Sequence, residues 1–317
     1  MTTVTQAATS APAGPSLPGR PNMVRIWVMA ARVRTLPAAV APVLVGTSLA
    51  LGADHFHPLA FLAALLGAVF IQVGTNLSND YSDARRGADS EDRLGPVRVT
   101  AGGLVPPRQV LIATYTTFGL AVLCGAYLVA VAGPELIAVG AASILAGVLY
   151  TGGPRPYGYE GLGELFVFLF FGVVAVAGSY FVQVQRLPWQ AFGCAVPVGL
   201  LASAILVVNN VRDIDTDRRA GKRTLAVRLG RERTRGLYTA MVAGAFAGAP
   251  VLWALGFSPW LLLSWAAIPL ALPVLRVVRT RIDGPSLNGA LAKTGMLQLL
   301  FCLLFCAGIL AGGGIGG

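Results

Sequence analysis

The chain has 317 residues, of which 55% are hydrophobic and only 12% are charged, and its mean hydropathy is +0.69. Soluble domains carry about 25% charged residues, so this composition excludes an ordinary water-soluble domain and predicts an integral membrane protein. Apolar stretches of about 20 residues recur along nearly the whole length, which excludes a singly anchored protein and an outer-membrane β-barrel. The net charge of +10 indicates membrane topology here, and no nucleic-acid partner is expected.

The first 22 residues are rich in Ala, Pro, Ser and Thr and contain no apolar run. Such a segment cannot bury enough apolar surface to fold, so we predict a disordered tail over 1–22 and not a cleaved signal peptide. The membrane domain is expected to occupy 23–317. It begins with an interfacial helix over 22–33 that leads into the first membrane helix.

Windows of about 19 residues predict nine transmembrane helices in an all-α integral membrane fold. Nearly all Lys and Arg residues lie in the N-terminus and in the loops after the second, fourth, sixth and eighth helices. By the positive-inside rule these parts are cytoplasmic, and an odd number of helices puts the C-terminus outside. We therefore expect a multi-pass protein of the cell's inner or plasma membrane, in contact with membrane lipids. The predicted helices are 34–52, 58–79, 108–131, 135–150, 164–183, 190–210, 237–256, 259–278 and 288–312.

A dense group of Asn and Asp residues marks the cytoplasmic end of the second predicted helix. Residues three and four apart share one face of a helix, so its four members are expected to form a single oxygen-rich stripe. They are Asn76, Asn79, Asp80 and Asp83.

The end of the sixth predicted helix carries a second acidic group. Asn209, Asp213 and Asp217 follow a four-residue step, whereas Asp215 should point to the other side of the helix. The step from Asn209 to Asp213 copies the spacing of the last Asn and last Asp of the first group. We interpret this as an echo of one half of the protein in the other.

Two acidic groups at helix ends predict a shared cation, because unpaired acids near a bilayer are costly and repel one another. Carboxylate and amide oxygens without His or Cys suit Mg²⁺, which binds through few carboxylates plus substrate phosphate oxygens. Basic residues accompany both groups, among them Arg98 and Lys222, and this combination is typical of a diphosphate site. The alternative is solvated charge pairs in loops, which two matched groups on helix ends disfavour.

These residues resemble the two signatures of the UbiA superfamily of membrane prenyltransferases. The first signature, Asn-Asp-x-x-Asp, stands here as Asn79 to Asp83, and the second, Asp-x-x-x-Asp, as Asp213 to Asp217. The resemblance covers about 25–312. It implies nine transmembrane helices around a central cavity, with both signatures on the cytoplasmic side.

Five stretches are similar to one branch of that superfamily, which prenylates 1,4-dihydroxy-2-naphthoate in menaquinone synthesis. The superfamily often has an Asp four residues after the first signature, but here that place is Gly87 and the next acid is Asp89. The branch resembles this sequence in that shift. The five stretches are Arg34-Thr-Leu-Pro37-Ala-Ala, Asn79-Asp80-Tyr-Ser-Asp83 through Gly87-Ala-Asp89, Gly95-Pro-Val-Arg98, Tyr150-Thr-Gly-Gly153-Pro154, and Asn210-Val-Arg212-Asp213 through Gly221-Lys222-Arg223-Thr224-Leu225.

The resemblance implies a polyprenyl diphosphate donor, 1,4-dihydroxy-2-naphthoate as the acceptor, Mg²⁺ as the cofactor, and loss of the ring carboxylate to give demethylmenaquinone. The expected catalytic residues are Asp80, Asp83, Asp213 and Asp217. The expected metal ligands are Asn79, Asp80, Asp83, Asp89, Asn209, Asp213 and Asp217. The expected substrate-binding residues are Asn76, Arg98, Tyr150, Arg212, Lys222, Arg34 and Gln72.

A prenyl carbocation requires a water-poor pocket, which apolar helices can provide, and a lateral opening would let the lipid tail lie in the bilayer. Tyr150 is predicted to position the acceptor or to stabilise the cation through its ring, with a tyrosine of the interfacial belt as the alternative.

Two alternative functions are weighed against this one. Another aromatic acceptor, such as 4-hydroxybenzoate, is disfavoured by the shift to Asp89 and by the Tyr-Thr-Gly-Gly-Pro stretch. A transporter would keep charge near the membrane midplane on broken helices, whereas the acids here cluster at cytoplasmic helix ends.

Overall fold

The computed structural model describes residues 22–88 and 94–313, and within these ranges the chain is helical and contains no strand. Of the predicted tail only Asn22 falls in this range, where its side-chain oxygen accepts a hydrogen bond from the Arg25 N–H and caps the first helix. Asp89 lies outside the described residues. The α-helices are α1 (Met23–Ala31), α2 (Pro37–Leu51), α3 (Pro58–Arg85), α4 (Pro107–Ala132), α5 (Glu135–Leu149), α6 (Gly163–Val167), α7 (Ala175–Val184), α8 (Trp189–Arg219), α9 (Leu225–Leu229), α10 (Arg231–Ala254), α11 (Ile268–Thr280) and α12 (Gly284–Ala311).

Two of the membrane-length helices combine different helical geometries. A π-helical segment, Phe168–Val174, joins α6 to α7, so that Gly163–Val184 is one continuous apolar helix. A 3-10 helix, Pro259–Ala267, runs into α11 and makes Pro259–Thr280 another.

Each of the nine predicted segments coincides with a helical segment, but fewer satisfy the length and composition expected of a span. Among the described residues, seven helices are long and apolar enough, or eight if α1 and α2, bent by 51° relative to each other, are counted as one. The fifteen residues of α5 extend over roughly 22 Å, which is short of the roughly 30 Å of a bilayer core. The all-helical, multi-span fold is confirmed, and nine remains a prediction.

The break between α1 and α2 explains why the first membrane helix starts later than predicted. Arg32 adopts a left-handed backbone conformation with φ of 51° and terminates α1. A 3-10 turn, Val33–Thr35, follows, and α2 begins at Pro37. The amphipathic α1 buries Ile26 and Ala30 against the protein, as expected of an interfacial helix.

Both acid-bearing helices continue past their predicted membrane ends. The second predicted helix was expected to end at 79, and α3 runs to Arg85. The sixth was expected to end at 210, and α8 runs to Arg219. The helical spacing assumed for the two acidic groups is therefore present in the structure.

The core is organised around α8, the most buried of the long helices. A Cβ atom on Gly172 would lie 2.6 Å from the Cα atom of Gly199, so the π-helical segment and α8 approach at backbone distance. A large apolar cluster joins α8 to α2, α7, α10 and α12. A second, smaller cluster joins α1 to the end of α3 and to Val99 and Val105 of the loop that precedes α4.

Candidate active site

A cavity of about 750 Å³ is lined by side chains from α2, α3, α4, α5, the Gly163–Val184 helix and α8. Its polar end lies where α3 and α8 end. The wall away from that end is apolar and is formed by residues of α3, α4, α5 and the π-helical segment. The polar end is lined by Asn79, Asp83, Arg98, Asn209, Asp213, Asp217 and Lys222.

Asp83 lies at the centre of the polar end and is 1% exposed. Its Oδ2 atom is 3.2 Å from Nη2 of Arg98, and its Oδ1 atom accepts a 2.6 Å hydrogen bond from the Tyr159 hydroxyl. The Lys222 ammonium lies 3.7 Å from the same Oδ1 atom. Two cations and one hydroxyl therefore hold this carboxylate in one orientation.

Lys222 links the two acidic groups. Its Nζ atom is 3.9 Å from Oδ1 of Asp217, in addition to its contact with Asp83. The ammonium also lies 4.6 Å from the centre of the Tyr159 ring, at a distance suited to a cation–π contact. The first and second sequence motifs thus meet at one cationic group, as their matched spacing predicts.

Asp213 is oriented by its sequence neighbour. Arg212 donates to both carboxylate oxygens, from Nε at 2.8 Å and from Nη2 at 2.6 Å. The same guanidinium donates to Oδ1 of Asn209 at 2.8 Å and to Oδ1 of Asn288 on α12 at 2.6 Å. Arg212 itself is 2% exposed and lies outside the cavity lining, so it orients Asp213 and Asn209 where a substrate contact was expected.

Asp80 does not share the cavity face with the rest of its motif. Its Oδ1 atom accepts a 2.9 Å hydrogen bond from the Thr100 N–H, and its Oδ2 atom a 3.2 Å bond from the Val99 N–H. Adjacent helix residues are about 100° apart, so Asp80 cannot face the cavity while Asn79 does. This geometry does not support the expectation that Asp80 touches metal or substrate. Asn79, by contrast, lines the cavity and accepts a 2.9 Å bond from the Thr151 hydroxyl.

Gln72 and Asn76 line the cavity one to two turns along α3 from Asn79. Their side-chain amides donate to the Thr35 hydroxyl at 3.0 and 3.2 Å, respectively. Arg34, expected beside them, is exposed and outside the cavity lining, whereas Arg32 lines it. The left-handed backbone conformation of Arg32 separates α1 from the 3-10 turn that carries Arg34.

Aromatic rings close the cavity beside the acidic end. The rings of Tyr150 and Tyr157 meet edge to face at 5.5 Å, and Tyr157 stacks on Phe166 at 4.0 Å. The Tyr157 hydroxyl donates to the Ala146 carbonyl at 2.9 Å, and burial raises its pKa above the usual range. These rings give this part of the cavity an apolar surface whose π faces can interact with a cation.

The oxygen atoms at the polar end are suitable ligands for a hard divalent cation. Carboxylate and amide oxygens predominate there, which are the ligands that Mg²⁺ prefers. Within the described residues, no three His, Cys, Asp or Glu side chains are gathered as a preformed metal centre.

Two features of the site were not predicted from the sequence. Tyr159 contacts both Asp83 and Lys222, and its only signal was the density of aromatic residues after the Tyr150 stretch. Glu164 is buried at the start of α6, where its Oε1 atom accepts a 2.8 Å bond from Asn210. The sequence feature that could have indicated Glu164 is an acidic residue within an apolar segment.

The family model of the UbiA prenyltransferase family matches residues 39–292. The 1,4-dihydroxy-2-naphthoate octaprenyltransferase of Mycobacterium tuberculosis is 46% identical over 290 residues, which is 90% of this chain and 97% of that protein. The protein of the same name from Escherichia coli is 40% identical over 91% of this chain and 96% of its own length.

Among solved structures, a UbiA homolog from Archaeoglobus fulgidus superposes with a TM-score of 0.64 at 17% identity and covers 90% of this chain and 99% of its own. The same homolog bound to GPP and Mg²⁺ gives 0.62 over the same shares. These structures support the fold, and the sequence matches support the relationship. The chain belongs to the UbiA prenyltransferase family.

Proposed function

We propose that this protein transfers a long-chain prenyl group from a polyprenyl diphosphate to 1,4-dihydroxy-2-naphthoate. Loss of the ring carboxylate as carbon dioxide, followed by oxidation, gives demethylmenaquinone for menaquinone synthesis. One observation carries the proposal: the two acidic motifs meet through Lys222 at the polar end of a cavity whose remaining wall is apolar and aromatic. The relatives from Mycobacterium tuberculosis and Escherichia coli carry this activity in their names.

The diphosphate is expected to lie at the polar end. Asp83, Asp213 and Asp217, with Asn79 and Asn209, would hold Mg²⁺, which when bound neutralises the charge of the diphosphate oxygens. A UbiA homolog from Archaeoglobus fulgidus has been solved with GPP and Mg²⁺, which supports this assignment. Arg98 and Lys222 supply positive charge beside the leaving group as it departs.

The prenyl tail is expected along the apolar wall. This wall includes the cavity-facing sides of α4 and α5, which carry Gly125 and Gly140, and of the π-helical segment. α5 packs against α3 and α4, whereas no substantial packing joins it to the π-helical segment on the other side. A tail that passes between them reaches the bilayer, so membrane lipids and the donor share one apolar environment.

The acceptor is expected between the diphosphate and the part of the cavity wall formed by Gln72 and Asn76. Gln72 and Asn76 offer amide groups there. Arg32 lines the cavity as well, and its chain neighbours Ala31 and Thr35 accept hydrogen bonds from Asn76 and Gln72. We therefore assign Arg32 to the carboxylate of the naphthoate.

The reaction follows from these positions. The allylic C–O bond breaks, and its electron pair leaves with the diphosphate toward Arg98 and Lys222. The ring carbon that bears the carboxylate forms the new C–C bond to the prenyl carbocation. The bond to the carboxylate then breaks, its electron pair restores the aromatic ring, and carbon dioxide departs. Tyr150, Tyr157 and Phe166 exclude the water that would otherwise capture the cation.

The positive-inside assignment places this polar end at the cytoplasmic face of the cell's inner or plasma membrane. The naphthoate and the diphosphate group of the donor would then enter the site from the cytoplasm. The prenyl tail would enter through the bilayer.

Purified protein in nanodiscs tests the activity directly. It is incubated with Mg²⁺, a radiolabelled polyprenyl diphosphate, and either carboxyl-labelled 1,4-dihydroxy-2-naphthoate or 4-hydroxybenzoate. We expect labelled carbon dioxide and prenylated naphthalene in equal amounts, and no product from 4-hydroxybenzoate. Transfer to 4-hydroxybenzoate alone, or no transfer to either acid by folded protein, would contradict the proposal.

A further inference from the structure

Asp80 belongs to the first acidic motif by sequence, but its carboxylate is bound by backbone N–H groups. Both of its carboxylate oxygens accept hydrogen bonds from consecutive N–H groups, those of Val99 and Thr100. The carboxylate is 2% exposed and lies outside the cavity lining. Because these bonds hold the carboxylate away from the cavity, it would have to leave them to reach a metal there.

The segment that Asp80 holds is compact. The Leu104 and Val105 N–H groups both donate to the Val99 carbonyl, at 2.9 and 3.1 Å, and the Gly102 N–H donates to the Arg98 carbonyl at 2.9 Å. The side chains of Val99 and Val105 are buried against α1 and the end of α3. The turn is thus one unit that is fixed to α3 through the Asp80 carboxylate.

Arg98 immediately precedes the two clamped N–H groups. Its guanidinium reaches Asp83, three residues after Asp80 on the same helix. One end of α3 therefore holds the backbone beside Arg98 and also receives its side chain. The connection from α3 to α4 is long, so without the clamp Arg98 would lose conformational restraint.

We propose that Asp80 is a positioning residue, not a metal ligand: it clamps the loop so that Arg98 is held beside the departing diphosphate. This inference rests on the proposed function for the identity of the substrate. Loss of the clamp is expected to lower the rate by misplacing Arg98, because displacement of a positioning group by about 1 Å can cost about a hundredfold in rate.

The test compares Asp80→Asn, Arg98→Gln and the double variant in the full-length protein. Asn replaces one acceptor oxygen with a donor that opposes a backbone N–H, so one bond of the clamp is lost. We expect kcat of Asp80→Asn to fall about ten- to a hundredfold, with little change in the KM for the acceptor. Asp80→Asn should add almost nothing to the loss already caused by Arg98→Gln.

A second readout does not depend on turnover. Binding of Mn²⁺ in the presence of inorganic diphosphate is measured by electron paramagnetic resonance for wild type, Asp80→Asn and Asp83→Asn. We expect Asp80→Asn to bind Mn²⁺ like the wild type and Asp83→Asn to bind it weakly. Asp215→Asn is the matched control, because Asp215 is exposed and pairs with Arg231 outside the cavity.

Three outcomes would overturn the inference: wild-type kcat in Asp80→Asn, loss of Mn²⁺ binding comparable with that of Asp83→Asn, or losses that multiply in the double variant. If Asp80→Asn does not fold, Asp80→Ser, whose smaller hydroxyl keeps one acceptor, undergoes the same measurements. Failure of the wild type to prenylate the naphthoate would refute the proposed function, whereas the Mn²⁺ comparison would still decide the role of Asp80.

Discussion

Asp83 and Lys222 show how residues distant in the sequence build the polar end. Asp83 comes from α3, its hydroxyl donor Tyr159 from the loop before α6, and Lys222 from the loop after α8. Each is held by contacts to the others, so the charges are placed before substrate arrives. Such prior placement is the arrangement that stabilises charge on a leaving group without reorganisation during the reaction.

Neutralisation of Lys222 tests this placement. We expect Lys222→Gln to lower kcat by about a hundredfold, because loss of one contact of this type costs on the order of 3 kcal/mol in the transition state. The KM for the naphthoate should change little, since charge on the diphosphate is greatest as it leaves. Steady-state kinetics measure both constants.

Arg218→Gln is the control for that variant, because Arg218 is an exposed residue that pairs only loosely with Asp215 at 3.9 Å. Its kcat should match the wild type. A sharp rise in the naphthoate KM of Lys222→Gln at unchanged kcat would show that Lys222 holds the acceptor carboxylate.

At the residue scale, helical spacing predicted Asn79, Asp83, Asp213 and Asp217 on the cavity correctly, because α3 and α8 remain helical through both motifs. It could not separate Asp80 from them, because the loop that receives Asp80 returns to α3 about twenty residues later. Nor did it indicate Arg32, because α1 ends at this residue in a left-handed conformation that helical spacing does not show.

At the scale of elements, each of the nine segments that hydropathy predicted contains helix, but hydropathy could not show how each helix is used. The π-helical segment that lines the cavity has no signature in its apolar composition. Likewise, α5 is apolar throughout, yet it is short and borders the cavity. Both lie on the wall assigned to the prenyl tail, where irregular or short helices leave room for a ligand.

Gly140 of α5 offers a test of the tail assignment. It lines the cavity, and nothing lies within 4 Å of a Cβ atom built there. Leucine would therefore fit the helix and fill tail space, so we expect Gly140→Leu to lower kcat/KM for an octaprenyl donor by about tenfold or more. Activity with geranyl diphosphate should change by less than about threefold.

Gly119→Leu is the matched control. Gly119 is exposed on α4, lies outside the cavity lining, and has similarly open space around a Cβ atom. Donor preference should not change in this variant. Equal losses with both donors in Gly140→Leu would place the tail elsewhere.

At the scale of the whole molecule, the fold brings two acid-bearing helices from different halves of the chain to one cavity. The matched spacing of Asn79–Asp83 and Asn209–Asp213 suggested this juxtaposition, and the structure provides it through α3 and α8. The number of spans was less predictable, because α5 is too short and α1 and α2 are bent. Orientation in the membrane follows from charge alone and needs its own test.

Single cysteines in a background without the four native ones test the orientation. Ala220→Cys, just after α8, should react with an impermeant maleimide only when it is added from the cytoplasmic side. His55→Cys, in the exposed loop before α3, should react only from outside. The opposite pattern would put the polar end of the cavity on the wrong face for cytoplasmic substrates.

The central claim is that the two acidic motifs form one diphosphate site. The most direct measurement is turnover of Asp83→Asn, Asp217→Asn and the double variant at saturating Mg²⁺, with folding checked by thermal unfolding. We predict that kcat falls about a hundredfold or more in each single variant. The kcat of the double variant should equal that of the less active single variant, because the residues act as a unit. Near-normal turnover in either folded single variant, or losses that multiply in the double, would contradict the claim.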